Sequence, residues 1–168
     1  AKKKDGSLIK NPISSSFEIN DTPIIDIDLF EEQRLYRPMA GKWYKMMPVE
    51  TIRGCPYKCT FCFEEELQNI YQGKGQYVRV RSPENIFMEI KEAIESGIHI
   101  DYVMFLDDVF GINKVWLYDF LEKYKEEIDL PFICLVRADL VHKGDDYAQR
   151  LADAGCVSVA FGIESGTE

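Results

Sequence analysis

The chain has 168 residues, 46% apolar and 12% aromatic, which is enough to bury a core but short for a complete α/β barrel of about 200 residues or more. A formal net charge of −9 leaves no basic face to displace counterions from a phosphate backbone, so nucleic acid is not an expected partner. No apolar run approaches the ~20 residues of a membrane span, and no signal-peptide core follows Lys2, Lys3 and Lys4, so no membrane is expected and the cytoplasm is the expected compartment.

Residues 1–48 read as a linker or lead-in. The stretch from Asn11 to Pro23 is polar and turn-rich, and the stretch from Ile24 to Pro48 shows no sustained helical or strand period. From Val49 onward the pattern turns to α/β. Val49 to Arg53 is a short strand candidate that runs into a cysteine loop. Lys74, Arg79 and Arg81 then form a basic stripe of the kind that is ordinarily solvated.

A helix follows, capped by Ser82, with Pro83 at its first position, Glu84 in the acidic first turn and Gly97 as terminator. Its apolar residues Ile86, Phe87, Ile90, Ala93 and Ile94 share one face. Tyr102 to Leu106 is a near-continuous apolar run, the mark of a strand covered on both faces. Asn113 caps a second helix bearing Leu117, Phe120, Leu121, Tyr124 and Ile128, with Pro131 closing the linker after it. Phe132 to Val136 and Val157 to Ile163 repeat the buried-strand type, separated by a helix from about Asp145 to Ala154 that stops at Gly155. Strands alternating with helices predict right-handed βαβ crossovers and a parallel sheet. The last strand is followed by no helix that would cover it, and residue 1 is Ala rather than Met. A piece of a longer protein is therefore expected.

Three of the five cysteines, Cys55, Cys59 and Cys62, lie in the loop "RGCPYKCTFCF" after the first strand. An odd count crowded in this way suits metal or redox chemistry better than a disulfide framework. Strand carboxyl ends are where ligands gather in parallel sheets and barrels. Three thiolates on one loop can hold three corners of a 4Fe-4S cluster and leave one iron open. The rival reading is structural zinc, which needs four ligands. Its remaining candidates, Cys134, Cys156, His99 and His142, are isolated, and the two cysteines read as small core residues. An electron-carrying iron–sulfur protein is a second rival.

The CxxxCxxC loop after a strand, with an aromatic before the third cysteine, resembles the radical S-adenosylmethionine (SAM) superfamily over residues 49–168. That resemblance implies an incomplete parallel (β/α) barrel of about four of six βα units. It also implies an anaerobic enzyme whose cluster reductively cleaves SAM to a 5′-deoxyadenosyl radical. A reductant such as flavodoxin or ferredoxin and a small-molecule or peptide substrate are the implied partners. The lead-in together with "FLDDVF" resembles the subgroup with an upstream cobalamin-binding domain, which would make residues 1–48 its exit and the reaction a cobalamin-dependent methyl transfer or rearrangement.

Several other residues are candidates for SAM. Asp107 or Asp108 would accept from the SAM ammonium, at most one of them facing inward because strand residues alternate; a loop-fixing role before Gly111 is the alternative. Arg137 would pair with the SAM carboxylate or Glu164, or else bridge Asp139. Glu164 and Ser165, in "GIESG", resemble the family element near the SAM ribose and amino acid. Phe61 would lie beside adenine, with Tyr57 a weaker candidate for ligand contact.

Overall fold

The structure is a computed structural model that describes residues 3–141, 146–164 and 166. Its frame is a five-stranded sheet in the order β1-β2-β5-β6-β7. β1 (Tyr36–Met39) and β2 (Lys42–Val49) form an antiparallel hairpin. Its two-residue turn, Ala40-Gly41, has positive φ at both positions (49° and 77°), the twist that a tight hairpin requires. β2, β5 (Tyr102–Phe105), β6 (Phe132–Leu135) and β7 (Cys156–Ala160) are parallel neighbours, and together they make a curled half-barrel.

The first barrel strand is thus β2, inside the stretch expected to be lead-in, and not Val49 to Arg53. Val49 ends β2, and after two residues the chain turns into β3 (Ile52–Arg53), which pairs outside the sheet with β4 (Arg79–Val80). β2 shows no clean alternation because Met46 and Met47 are both buried. It also contains Pro48. Lys45 and Val49 carbonyls accept from Asp101 and Leu106 on the β5 side, so residue 48 faces the opposite edge, where β1 has already ended and no donor is needed. β7 stops at Ala160, short of the expected Ile163.

Four helices, α1 (Glu64–Ile70), α2 (Pro83–Glu95), α3 (Lys114–Glu127) and α4 (Tyr147–Asp153), connect the strands. The expected caps are present. Ser82 Oγ accepts from Asn85 N at 3.3 Å, and Asn113 Oδ1 accepts from Val115 N and Trp116 N at 3.1 and 3.2 Å. Gly97 follows α2 at φ 90°. The start of the last helix falls at Tyr147; Asp145 and His142 lie outside the described residues.

The core lies between the sheet and α2, α3 and α4. Met47, Val49, Val103, Phe105, Phe132 and Cys134 meet Ile86, Phe87, Ile90, Phe120, Tyr124 and Leu151 there. Aromatic pairs fill it, among them Phe105–Phe110 with centroids 4.6 Å apart and Phe105–Phe132 at 5.3 Å. Cys134 and Cys156 belong to this region, as expected, with their sulfurs 3.9 Å apart. The central strands are not sealed on both faces. Val103, Phe105, Phe132 and Cys134 are buried under the helices, while the alternate residues Tyr102, Met104 and Ile133 are half-buried and Leu135 is exposed. That opposite face is the inner wall of the half-barrel.

Candidate functional site

The cysteine loop is held from both sides. Gly54 enters it at φ 85°, and a Cβ there would stand 2.8 Å from the Tyr77 carbonyl, so the position requires glycine. On the helix side, Glu64 and Gln68 are one turn apart on α1 and face the loop. Glu64 Oε2 accepts from Cys55 N at 3.1 Å and from the Tyr77 hydroxyl at 2.8 Å. Gln68 Nε2 donates to the carbonyls of Cys55 and Tyr57 at 2.8 and 2.9 Å. Cys62 N bonds the Cys59 carbonyl at 2.9 Å, closing the turn between the last two thiols. Glu64, Gln68 and Tyr77 were not foreseen from sequence; the Glu-x-x-x-Gln pair directly after a cysteine loop is the signal that could have found the first two.

Cys55, Cys59 and Cys62 are free and line one cavity of about 420 Å³ at the carboxyl ends of the strands. Cys55 is buried, and burial pushes its thiol pKa up, with Glu64 and Asp108 adding to the rise against a backbone hydrogen bond that lowers it. Among the described residues, no three His, Cys, Asp or Glu side chains converge on a single ion. A cuboidal cluster asks for something different, one thiolate on each of three irons, and three free thiols around one cavity fit it.

The paired aspartates divide as strand alternation requires. Asp107 is 4% exposed, with Oδ1 accepting from Thr51 N at 2.7 Å and Ile52 N at 3.0 Å, and Oδ2 from Thr51 Oγ1 at 2.5 Å. It ties the end of β5 to the segment leaving β2. Burial outweighs these bonds and raises its pKa to about 6. Asp108 lines the cavity, its pKa raised by burial first and then by Glu64 and Glu50.

Arg137 reaches the cavity from beyond β6. Its guanidinium lies 3.8 Å from the centroid of the Tyr57 ring, pairs with Asp139 at 2.9 Å, and brings Nη1 to 3.7 Å from Cys59 Sγ. Of the two protein partners expected for Arg137, Asp139 is the one it pairs with, and its guanidinium stacks on the Tyr57 ring. Phe61 and Glu164 line the same cavity, Phe61 with 70% of its surface exposed; Ser165 lies outside the described residues. His99 stands apart on the surface, 3.1 Å from Asp101.

The family model for the radical SAM superfamily matches residues 49–168. Bacteriochlorophyllide d C-8(2)-methyltransferase of Chlorobaculum tepidum is 29% identical over 72% of this chain and 26% of its own length. An uncharacterized methyltransferase of Pyrococcus horikoshii is 32% identical over 71% of this chain and 24% of its own length. The hopanoid C-2 methylase of Rhodopseudomonas palustris is 35% identical over 46% of this chain and 14% of its own length. The chain thus spans about a quarter or less of the curated relatives it matches. Among solved structures, the radical S-adenosylmethionine methyltransferase TsrM from Kitasatospora setae, with cobalamin and a [4Fe-4S] cluster bound, superposes with a TM-score of 0.55 at 19% identity, over 71% of this chain and 21% of that one.

Proposed function

Since this chain belongs to the radical SAM superfamily, whose members use a 4Fe-4S cluster and SAM, we propose that it is the first part of the barrel of a cobalamin-dependent radical SAM methyltransferase. The observation that carries this reading is the shared cavity: Cys55, Cys59, Cys62, Phe61, Asp108, Arg137 and Glu164 come from separate segments and line one space of about 420 Å³. When bound, the cluster supplies an open iron for the SAM amino acid and the electron that cleaves its sulfonium to a 5′-deoxyadenosyl radical. The methyl-transfer reading is supported by the names of the relatives, and the use of cobalamin by the cobalamin bound in the TsrM structure. A lead-in from a cobalamin-binding domain would end before β1, at about residue 35.

The chain's own residues have distinct parts in this reading. The three thiols hold the cluster. Asp108 offers its carboxylate to the ligand's ammonium, while Asp107 keeps Thr51 and Ile52 in place behind it. Arg137, stacked on Tyr57, donates toward Cys59 and screens that thiolate. The exposed ring of Phe61 is available to stack on adenine, and Glu164 closes the far side of the cavity.

Anaerobic reconstitution of the full-length protein tests the reading. Cys55→Ala, Cys59→Ala and Cys62→Ala should each lose iron and sulfide, and Cys134→Ala should not. A protein that takes up zinc and no sulfide would make the loop structural. In the loaded protein, Asp108→Ala should weaken SAM binding roughly tenfold to a hundredfold, as expected for one hydrogen bond to a charged group, read from the SAM-induced change in the paramagnetic resonance spectrum. Asp107→Asn should titrate like wild type. Equal titration of Asp108→Ala and wild type would remove Asp108 from the site and favour a plain electron carrier.

A further inference from the structure

We propose that Glu64 is a positioning residue for the cluster: its carboxylate fixes the Cys55 end of the loop through the Cys55 N–H and holds a negative charge beside that thiolate, keeping the cluster's reduction potential low. This rests on the reading that the loop carries a 4Fe-4S cluster.

The geometry is asymmetric around the three thiols. Glu64 is only 8% exposed, yet one oxygen serves both Cys55 N and the Tyr77 hydroxyl. A carboxylate this far from solvent ordinarily has a cationic partner. Here its two bonded partners are a backbone amide and a phenol, and Asp108 lines the same cavity. The cation lining this cavity, Arg137, lies instead at the Cys59 thiol and is committed to Asp139, while Arg53 and Arg79, which line an adjoining cavity with Glu64, bond to Glu50 and to the Phe17 carbonyl. The Cys55 corner is therefore the electronegative one and the Cys59 corner the electropositive one. Cluster potentials respond to net charge, hydrogen bonding and solvent exposure around the sulfurs, and an anion held in a partly desolvated site opposes the added electron.

Three substitutions separate position from charge. Glu64→Gln keeps an oxygen to accept from Cys55 N and Tyr77 while removing the charge. Glu64→Ala removes both. Tyr77→Phe removes the donor that offsets the carboxylate and leaves the charge. The full-length protein and its variants would be reconstituted anaerobically, assayed for iron and sulfide, and titrated with dithionite while the reduced cluster is followed by paramagnetic resonance.

Glu64→Gln should load fully and be reduced more easily, with about a tenfold rise in the ratio of reduced to oxidised cluster at fixed potential, equal to about 59 mV for one electron. Tyr77→Phe should shift the other way, and Glu64→Ala should lose much of its iron. If wild type loads and Glu64→Gln titrates together with it, or loads no better than Glu64→Ala, this proposal fails while the cluster reading stands. A wild type that holds no iron and sulfide overturns the cluster reading and this proposal with it.

Discussion

Two adjacent aspartates with opposite assignments show how much a single residue's surroundings decide. The alternation of side chains along a strand made it legible that only one of Asp107 and Asp108 could face the site. Which one depends on where Thr51 and Ile52 sit, and that contact spans more than fifty positions of the chain. Asp107 gives a direct pH prediction. Its pKa is raised from an ordinary 3.8 to about 6 in the fold, so the folded state binds the proton more tightly than the unfolded chain. Its contribution is therefore most favourable below pH 3.8 and is lost as pH rises through 6. Asp107→Asn keeps an oxygen for the two backbone N–H groups and allows the new amide to donate to Thr51 Oγ1. That variant should be as stable as wild type or more so above pH 6, and should lack the decline between pH 4 and 6 that wild type is expected to show in urea unfolding. Asp107→Ala leaves two buried N–H groups unpaired and should destabilise by roughly 2–4 kcal/mol near pH 4, and by less above pH 6, where the wild-type contribution has been lost.

At the scale of elements, α2 and α3 were legible to within a residue or two because capping and 3.6-residue periodicity are local signals. β2 was not, since its pairing with β5 depends on contacts between residues 46–49 and 102–105 that leave no period in its own sequence. The basic stripe was misread for a similar reason. Arg81 is 8% exposed and acts as an internal tie. It pairs with Glu89 on α2 at 2.5 Å, donates to Asn85 Oδ1 at 2.7 Å and to the Glu50 carbonyl at 2.9 Å, and its own carbonyl accepts from the Trp116 indole on α3 at 3.0 Å. It so joins two helices to the segment that leads into the cysteine loop. Burial raises the pKa of Glu89 and Arg81 opposes the rise. Removing one partner strands a buried charge, whereas removing both does not. Arg81→Met should cost about 3–5 kcal/mol in urea unfolding, and adding Glu89→Met should recover a large part of it. Additive losses would mean that the two charges are not coupled.

For the molecule as a whole, the half-barrel leaves an edge and a surface exposed together. β7 ends the strand order, so among the described residues no strand pairs with its outer edge. Beside it, Val157, Val159, Phe161 and Ile163 are exposed, and an apolar groove of about 460 Å³ runs between β7 and α4, lined by Val141, Leu151, Val157 and Phe161 among others. An unpaired, apolar strand edge offers N–H and C=O groups to any similar edge it meets, and neighbouring apolar surface adds a non-directional drive to the same encounter. The net charge of −9 opposes association at long range, but salt screens it over about 10 Å at 0.1 M, so the short-range attraction dominates at physiological ionic strength. The 168-residue chain alone should therefore self-associate with rising concentration, more at high salt than at low, in sedimentation velocity. Val159→Lys puts a charge on the exposed strand at a side chain that is 37% open to solvent, and should shift the distribution toward monomer. A wild-type chain that stays monomeric across the concentration range, at both salt levels, would mean that the edge is protected and that the half-barrel is stable without further covering.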